Sequence, residues 1–203
     1  MSYMKAKRLA DRIVDILKPF CDRIVIAGSI RRECILCNDI EVICSPYHTV
    51  REGIGDLFNK SEERVIDIGF VKKVNEWNKV KGEPTGRYTQ RELPGGVILD
   101  LFIPQRHDWG RQVAIRTGSA FFSKVKLAAR WSRMGWKGTK DGLRRTQQCR
   151  KGSGGWDVVP AILATQEEII LPPEFPTEKS FWDFLELEYV PPQDRNWQDK
   201  KKK

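Results

Sequence analysis

Asp39 and Glu41 lie inside the run N-D-I-E-V-I-C (38–44), and Asp100 lies inside V-I-L-D-L-F-I (97–103). Taking a carboxylate out of water without a partner costs on the order of several kcal/mol, so acids in runs this apolar need a cation or a set of donors. Strand alternation puts Asp39 and Glu41 on one face, with Cα atoms about 6.6 Å apart. Carboxylates at that separation can bracket divalent ions, which sit about 3.5–4 Å apart in two-metal sites. An oxygen-only donor set favours Mg2+ or Mn2+ over zinc. Just upstream, Gly28-Ser29 follows an apolar strand, where a turn can present backbone N–H groups to an anion. Arg31 and Arg32 add donors suited to phosphate oxygens. Metal-bracketing acids beside a phosphate-binding turn point to phosphoryl or nucleotidyl transfer, chemistry in which positioning and charge neutralisation do most of the catalysis.

The elements that must position these residues can be read from periodicity. A helix is predicted over 3–18, with Leu9, Ile13, Val14, Leu17 and Phe20 on its core face. R-I-V-I-A-G (23–28), D-I-E-V-I-C (39–44) and R-V-I-D-I-G-F (64–70) read as strands. R-Y-T-Q-R-E-L and V-I-L-D-L-F-I read as two strands joined by Pro-Gly-Gly. E-G-I-G-D-L-F (52–58) reads as a turn with a helix start, and the basic residues of 80–96 either grip DNA or belong to a solvated hairpin. A boundary is predicted at 104–106. Beyond it, 106–116 and 120–135 read as helices hinged at T-G-S (117–119). In the second helix Phe121, Val125, Ala128 and Ala129 are expected on the core face, with Lys126, Arg130 and Arg133 as a basic stripe opposite. K-G-S-G-G (151–155) reads as a loop before an acidic helical stretch, and no internal repeat is evident.

The net charge of +9 is concentrated: residues 105–151 hold 13 Lys and Arg against 2 acids, whereas 152–203 hold 6 against 10. A dense positive block in mid-chain calls for a polyanionic partner. Five cysteines, an odd number, argue against a secreted disulfide framework. Cys34 and Cys37 form a C-x-x-C without two further ligands at regular spacing, so reduced thiols are expected in place of zinc. No apolar run approaches the ~20 residues of a membrane span. The N-terminus alternates charged and apolar residues, unlike a secretion leader. The expectation is therefore a chain of 203 residues with a real core, no membrane partner and a reduced, intracellular location, cytoplasmic or nucleoid-associated.

G-S-x-R-R, then D-x-E, then a lone Asp on a later strand resembles the signature of the DNA polymerase beta-like nucleotidyltransferase superfamily. R-T-G-S (116–119) followed by A-F-F-S-K, and the ending E-K-S-F-W-D-F-L-E-L-E-Y-V-P-P-Q-D-R, narrow the resemblance to the family X DNA polymerases. The resemblance implies an α+β fold: a nucleotidyltransferase palm (1–104) with a mixed β-sheet flanked by helices, then a mixed α/β thumb (105–198). The closing lysines read by composition as a disordered basic tail (199–203). It implies a monomeric DNA-directed DNA polymerase that fills gaps, taking a dNTP and template-primer or gapped DNA. Its cofactor would be two Mg2+ ions, with Mn2+ able to substitute. Asp39 and Glu41 would hold both ions, and Asp100 would complete the catalytic site and help remove the primer 3′-hydroxyl proton. Gly28, Ser29, Arg32 and Asn38 would hold the triphosphate. Arg116, Thr117, Gly118 and Ser119 would line the sugar, Ser123 would face the base edge and Lys124 the templating base. From the periodicity of the helix, Lys126, Arg130 and Arg133 are expected to lie toward the template phosphates.

The chain also departs from the family. Glu41 stands where family X polymerases usually carry Asp. Ile115-Arg116 replace the paired aromatic segment that helps exclude the ribose 2′-hydroxyl, and Ala120 and Leu127 replace polar or charged positions. Modest fidelity and measurable ribonucleotide insertion are expected. About 25 residues precede Gly28, so no lyase domain is expected, and the chain is similar to compact viral members, as a virus- or phage-encoded protein would be. Three alternatives stay open: a template-independent nucleotidyltransferase acting on DNA or RNA ends, a defence-type nucleotidyltransferase modifying protein or tRNA, and a non-enzymatic nucleic-acid binder.

Overall fold

The computed structural model describes residues 1–52, 62–159 and 171–198. The chain divides into two compact units, Met1–Pro104 and Gln105–Lys203, both built from helices and sheets in an α+β arrangement.

The first unit is organised by a five-stranded mixed sheet in the order β1-β2-β7-β6-β5. Its strands are β1 (Cys21–Ile26), β2 (Ile40–Pro46), β5 (Asn78–Lys81), β6 (Tyr88–Leu93) and β7 (Val97–Phe102). β2 and β7 run parallel and every other neighbouring pair is antiparallel. Ile40, Val42 and Cys44 of β2, with Leu99 and Leu101 of β7, point to one face and are fully buried. Helix α1 (Tyr3–Leu17) covers that face with Ala6, Ala10, Ile13 and Leu17, all buried, while Leu9 and Phe20 are partly buried at its margin. Helix α3 (Ile68–Val74) adds Phe70 and Val74. The β6–β7 hairpin turns on Pro94-Gly95-Gly96. Gly95 has φ 88°, the positive value that a type II turn needs after proline, and Gly96 N donates to Leu93 O at 3.0 Å.

Several local expectations are corrected. The apolar run 64–70 is not one strand: β4 (Glu62–Ile66) ends before Asp67, which caps α3. Asp67 Oδ1 accepts from Gly69 N at 2.8 Å and Phe70 N at 3.2 Å, so an acid in strand-like alternation is a helix start. Helix α2 (Gly28–Arg31) begins where β1 was expected to continue. β4 pairs with β3 (His48–Glu52) in a separate two-stranded ribbon, and neither β3 nor β5 is anticipated by the apolar pattern. The turn expected over 52–58 lies, from residue 53 on, outside the described residues. Arg91 is neither a DNA grip nor a solvated hairpin residue. It is fully buried and donates to Val74 O, Gly82 O, Asn75 Oδ1 and Thr89 Oγ1, tying the end of α3 and the β5–β6 turn to the sheet.

The second unit contains helices α4 (Trp109–Thr117) and α7 (Glu178–Phe184), and a helical run made of α5 (Ala120–Phe122), a π-helical segment (Ser123–Ala128) and α6 (Ala129–Arg133). A four-stranded sheet follows in the order β10-β11-β8-β9, from β8 (Trp136–Thr139), β9 (Gly142–Arg145), β10 (Cys149–Gly152) and β11 (Gly155–Val158). Phe122, Leu127, Trp131, Trp136, Leu143, Phe175, Phe181 and Trp182 form its core. The buried face of the 120–133 run is therefore not the one expected from α-helical spacing. The wider π turn brings Phe122 and Leu127 onto one side, leaving Val125 42% exposed. K-G-S-G-G is the turn of the β10–β11 hairpin. β11 occupies the start of the stretch read as acidic helix, and 160–170 lie outside the described residues.

Buried ionic ties hold this unit's ends. Asp108 and Arg111 form a two-bond pair, each contact 2.6 Å, with both side chains almost fully buried. Arg195 is fully buried and pairs with Glu178 at 2.5 Å, its guanidinium over Trp182 and Tyr189. At Gly110 an added Cβ would meet Thr177 O at 1.9 Å, so only glycine lets the Phe175–Thr177 segment pass so close to α4.

Candidate active site

The parallel register of β2 on β7 sets Glu41 directly opposite Asp100. Paired residues on adjacent strands share a face, so both acids project away from the apolar face that α1 covers. Asp39 stands two residues before Glu41, immediately ahead of β2, and is half-buried. Burial holds the Asp39 carboxyl above the usual aspartate range, and the charge of Asp100 pushes the same way. Its own backbone N–H and the Arg32 guanidinium pull in the opposite direction. Asp39 and Asp100 thus act on each other, with Arg32 as the nearby cation.

Asp100 is held from the next strand. Gln90 faces it across the β6–β7 hairpin and donates Nε2 to Oδ1 at 2.8 Å. Tyr88 donates Oη to the same oxygen at 2.6 Å, its ring packed on Phe102 at 5.3 Å between centroids. Oδ2 accepts no hydrogen bond among the described residues. Tyr88 and Gln90 are site residues that motif reading misses. Their signal is in the sequence all the same: counting outward from a Pro-Gly-Gly turn that pairs Leu93 with Val97 sets Gln90 opposite Asp100.

Glu41 takes a course of its own. A Cβ placed on Gly28 would lie 1.7 Å from Glu41 Oε2, so the carboxylate fills the space that any side chain at position 28 would need. Gly28 has φ 59°, a left-handed value that glycine adopts without strain. Ala27 N donates to Glu41 O at 2.8 Å, locking the start of α2 against β2. The longer acid is therefore accommodated by the absence of a side chain on α2. Ser29 follows, its Oγ buried and without a hydrogen-bond partner. Arg32 is half-buried and Asn38 exposed. Among the described residues, no group of three or more His, Cys, Asp or Glu side chains is gathered closely enough to hold a metal ion. Glu41 and Asp100 share one face, but Glu41 turns to Gly28, while Asp39 interacts electrostatically with Asp100.

The cysteines form no such group either. All five are free thiols, and Cys37 Sγ donates to Cys34 O at 3.6 Å. Cys44, fully buried, is held well above the usual thiol range by its contact with Cys21 and by burial.

In the second unit the residues expected around a nucleotide build the chain itself. Ser119 caps α5, its Oγ accepting from Phe122 N at 3.1 Å and donating to Trp197 O at 2.7 Å. Ser119 N donates to Arg195 O at 3.0 Å, and Trp197 stacks edge-on against Phe122. The C-terminal segment thus clasps the T-G-S turn. Ser123 Oγ donates to Ile115 O at 2.8 Å, Thr117 is fully buried, and a Cβ on Gly118 would meet the Phe122 ring at 2.7 Å. Arg116, Lys124 and Arg133 are exposed, and Lys126 is half-buried. Arg130 is engaged elsewhere: Nε donates to Leu185 O at 2.7 Å and Nη2 pairs with Glu186. The stripe expected along one helix face is therefore broken at its centre.

No described helix is long and apolar enough to cross a membrane. No protein-family model matches the chain, and no curated protein matches it in sequence.

Proposed function

We propose that the first unit carries out nucleotidyl transfer to a nucleic-acid 3′-hydroxyl, as a family X-like DNA-directed DNA polymerase acting on gapped or template-primer DNA with a dNTP. The observation that carries this reading is the Glu41–Asp100 pairing on parallel strands, with Asp39 in electrostatic contact beside the Gly28-Ser29 turn. Three oxygen-donor acids on one sheet face, two of which raise one another's energy, suit a hard divalent cation. Asp39 and Asp100 would be its first ligands, and Glu41 would join by turning off Gly28. Magnesium bound there supplies charge neutralisation for the phosphates.

The chain's own contribution follows from the contacts. Tyr88 and Gln90 fix Asp100 through Oδ1 and leave Oδ2 to accept the proton of the attacking hydroxyl. The hydroxyl oxygen bonds to the α-phosphorus as the bond to the pyrophosphate oxygen breaks, and pyrophosphate departs. Ser29 Oγ has no partner to give up before donating to a phosphate oxygen. Arg32, already acting on Asp39, adds positive charge at the same edge. The second unit's uneven basic charge fits a polyanionic partner.

One observation favours template-independent addition within the same chemistry. The Ser119 and Ser123 hydroxyls are engaged with the backbone, which leaves fewer side chains to inspect a base pair. Primer extension on gapped, recessed and blunt DNA, with deoxy- and ribonucleotides, tests both. Asp100→Asn is expected to lower turnover by about 10³-fold or more. Extension that ignores the template decides for the second reading, and full activity of Asp100→Asn rejects both.

A further inference from the structure

The four-stranded sheet of the second unit has two unlike faces. In antiparallel pairs directly opposed residues share a face, so Trp136 and Arg145 lie on one side and Lys137 and Arg144 on the other. The first side is the core side: Trp136 and Leu143 are buried, and Arg145 lies over the Trp136 ring at 4.1 Å. On the second side the parallel pairing of Trp156 with Thr139 brings Trp156 next to Lys137, whose ammonium stands 4.7 Å from the ring centroid. The β10–β11 pairing adds Lys151 opposite Trp156 and Cys149 opposite Val158. Asp157, the acid within these strands, is opposite Arg150 and falls on the core side.

This outer face therefore carries three cations and one indole with no carboxylate among its strand residues. Lys137, Arg144 and Lys151 form no ion pair among the described residues, and Arg144 Nε is buried without an acceptor. Burial raises the Cys149 thiol, and the charges of Arg144 and Lys137 oppose that shift, which places both cations about Cys149. No described residue of the unit explains this arrangement as packing: like charges repel, and a buried guanidinium N–H without an acceptor is a net loss.

We infer that this face binds single-stranded nucleic acid, a base stacking on Trp156 while Lys137, Arg144 and Lys151 take the flanking phosphates. Lys151, Trp156, Lys137 and Arg144 stand on successive strands, so the row spans three inter-strand steps, about 14 Å. Sheets of this size seat about two or three bases on their surface. Unpaired bases fit better than a duplex because a ring lying on a sheet needs an open π-face, which stacked pairs do not offer. The stacking base replaces the Lys137 ammonium over the indole, and that ammonium moves to the adjacent phosphate. The inference does not depend on the carboxylates of the first unit.

Fluorescence anisotropy of the full chain with labelled 12-mers of dT and rU, and with a blunt duplex, tests it. Trp156→Ala is expected to weaken single-strand binding about tenfold, and Trp156→Phe to restore most of it. Lys137→Gln and Lys151→Gln should each lower the slope of log K against log salt by about 0.7. Asp100→Asn should bind as wild type does, so the surface and the catalytic reading fail separately. Equal losses for dT and rU mean a surface blind to the sugar, and a loss confined to one identifies the natural strand; both support the inference. It is overturned if Trp156→Ala and the Lys137→Gln/Lys151→Gln double variant each change affinity less than twofold. Equal losses on the blunt duplex, or equal competition by polyglutamate, also overturn it, since either marks a surface that reads charge alone.

Discussion

The two sheets of this protein treat charge in opposite ways. The five-stranded sheet carries acids on one face and packs them against neutral groups: the Tyr88 and Gln90 donors on Asp100, and the bare Gly28 backbone beside Glu41. The four-stranded sheet carries cations on one face and gives them an aromatic ring but no counter-charge among the described residues. Both faces lie opposite the side that builds a core. An acid held by neutral donors is fixed in place, as ligation and proton transfer require. Cations without partners keep their charge for an anion that arrives from outside. The lesson is that the partners of a charged group say more about its use than its burial does.

The largest test of that contrast is Asp100→Asn, which should remove nearly all turnover while leaving nucleic-acid affinity unchanged. Next comes Gly28→Ala, which forces Glu41 off its seat and strains a positive φ; it is expected to destabilise by about 1–2 kcal/mol. Glu41→Asp shortens the clashing side chain and should recover part of that loss, a coupling that a double-mutant cycle in urea would register. If the two substitutions add independently, the seating of Glu41 on Gly28 is wrong.

Tyr88→Phe removes one of two donors to Asp100 Oδ1. Activity should fall about tenfold, through kcat with KM nearly unchanged, while thermal stability moves little. A change in KM alone would mean that Tyr88 touches substrate instead of orienting the acid. Arg130→Ala sharpens the other half of the comparison, because this cation is already engaged. It should lower stability through the loss of Leu185 O and Glu186, yet alter nucleic-acid binding less than twofold.

The smallest expected effect is at Asp39. Its carboxyl is held above the ordinary range, so the folded protein binds that proton more tightly than the unfolded chain does. The stability this contributes is present below the ordinary aspartate value and is lost as pH rises through the raised one. Asp39→Asn should therefore raise Tm at neutral pH without divalent cations. The gain should shrink to nothing in acid, and added Mg2+ should stabilise wild type but not the variant. Equal Mg2+ responses in calorimetry would remove Asp39 from the ligand set.

Much of the first sheet is legible in the sequence because its strands are apolar on one face and turn on recognisable residues. V-I-L-D-L-F-I and the Pro-Gly-Gly turn leave little choice of register, and that register fixes which residues meet Asp100. β5 is not legible, since all four of its residues are exposed and none alternates. Asp67 misleads because a cap and a strand acid look alike when flanked by isoleucines. The π segment at 123–128 changes which side chains of its helix are buried, and helical periodicity read at 3.6 residues cannot foresee it. The seating of Glu41 on Gly28 is a tertiary fact between residues read for separate roles, one as a ligand and the other as part of a phosphate turn. The basic face around Trp156 escapes for a similar reason: its cations come from three strands and share no local pattern.

The β3–β4 ribbon pairs with no other described strand, and its base is stitched by Asp67 N donating to Tyr47 O at 2.9 Å. Chain added between those strands leaves from and returns to one fixed point, while β2 and β7 keep their register on the far side of that stitch. The ribbon is accordingly a grafting point, where a fluorophore, an affinity tag or an entire foreign domain can be carried without moving Glu41 relative to Asp100.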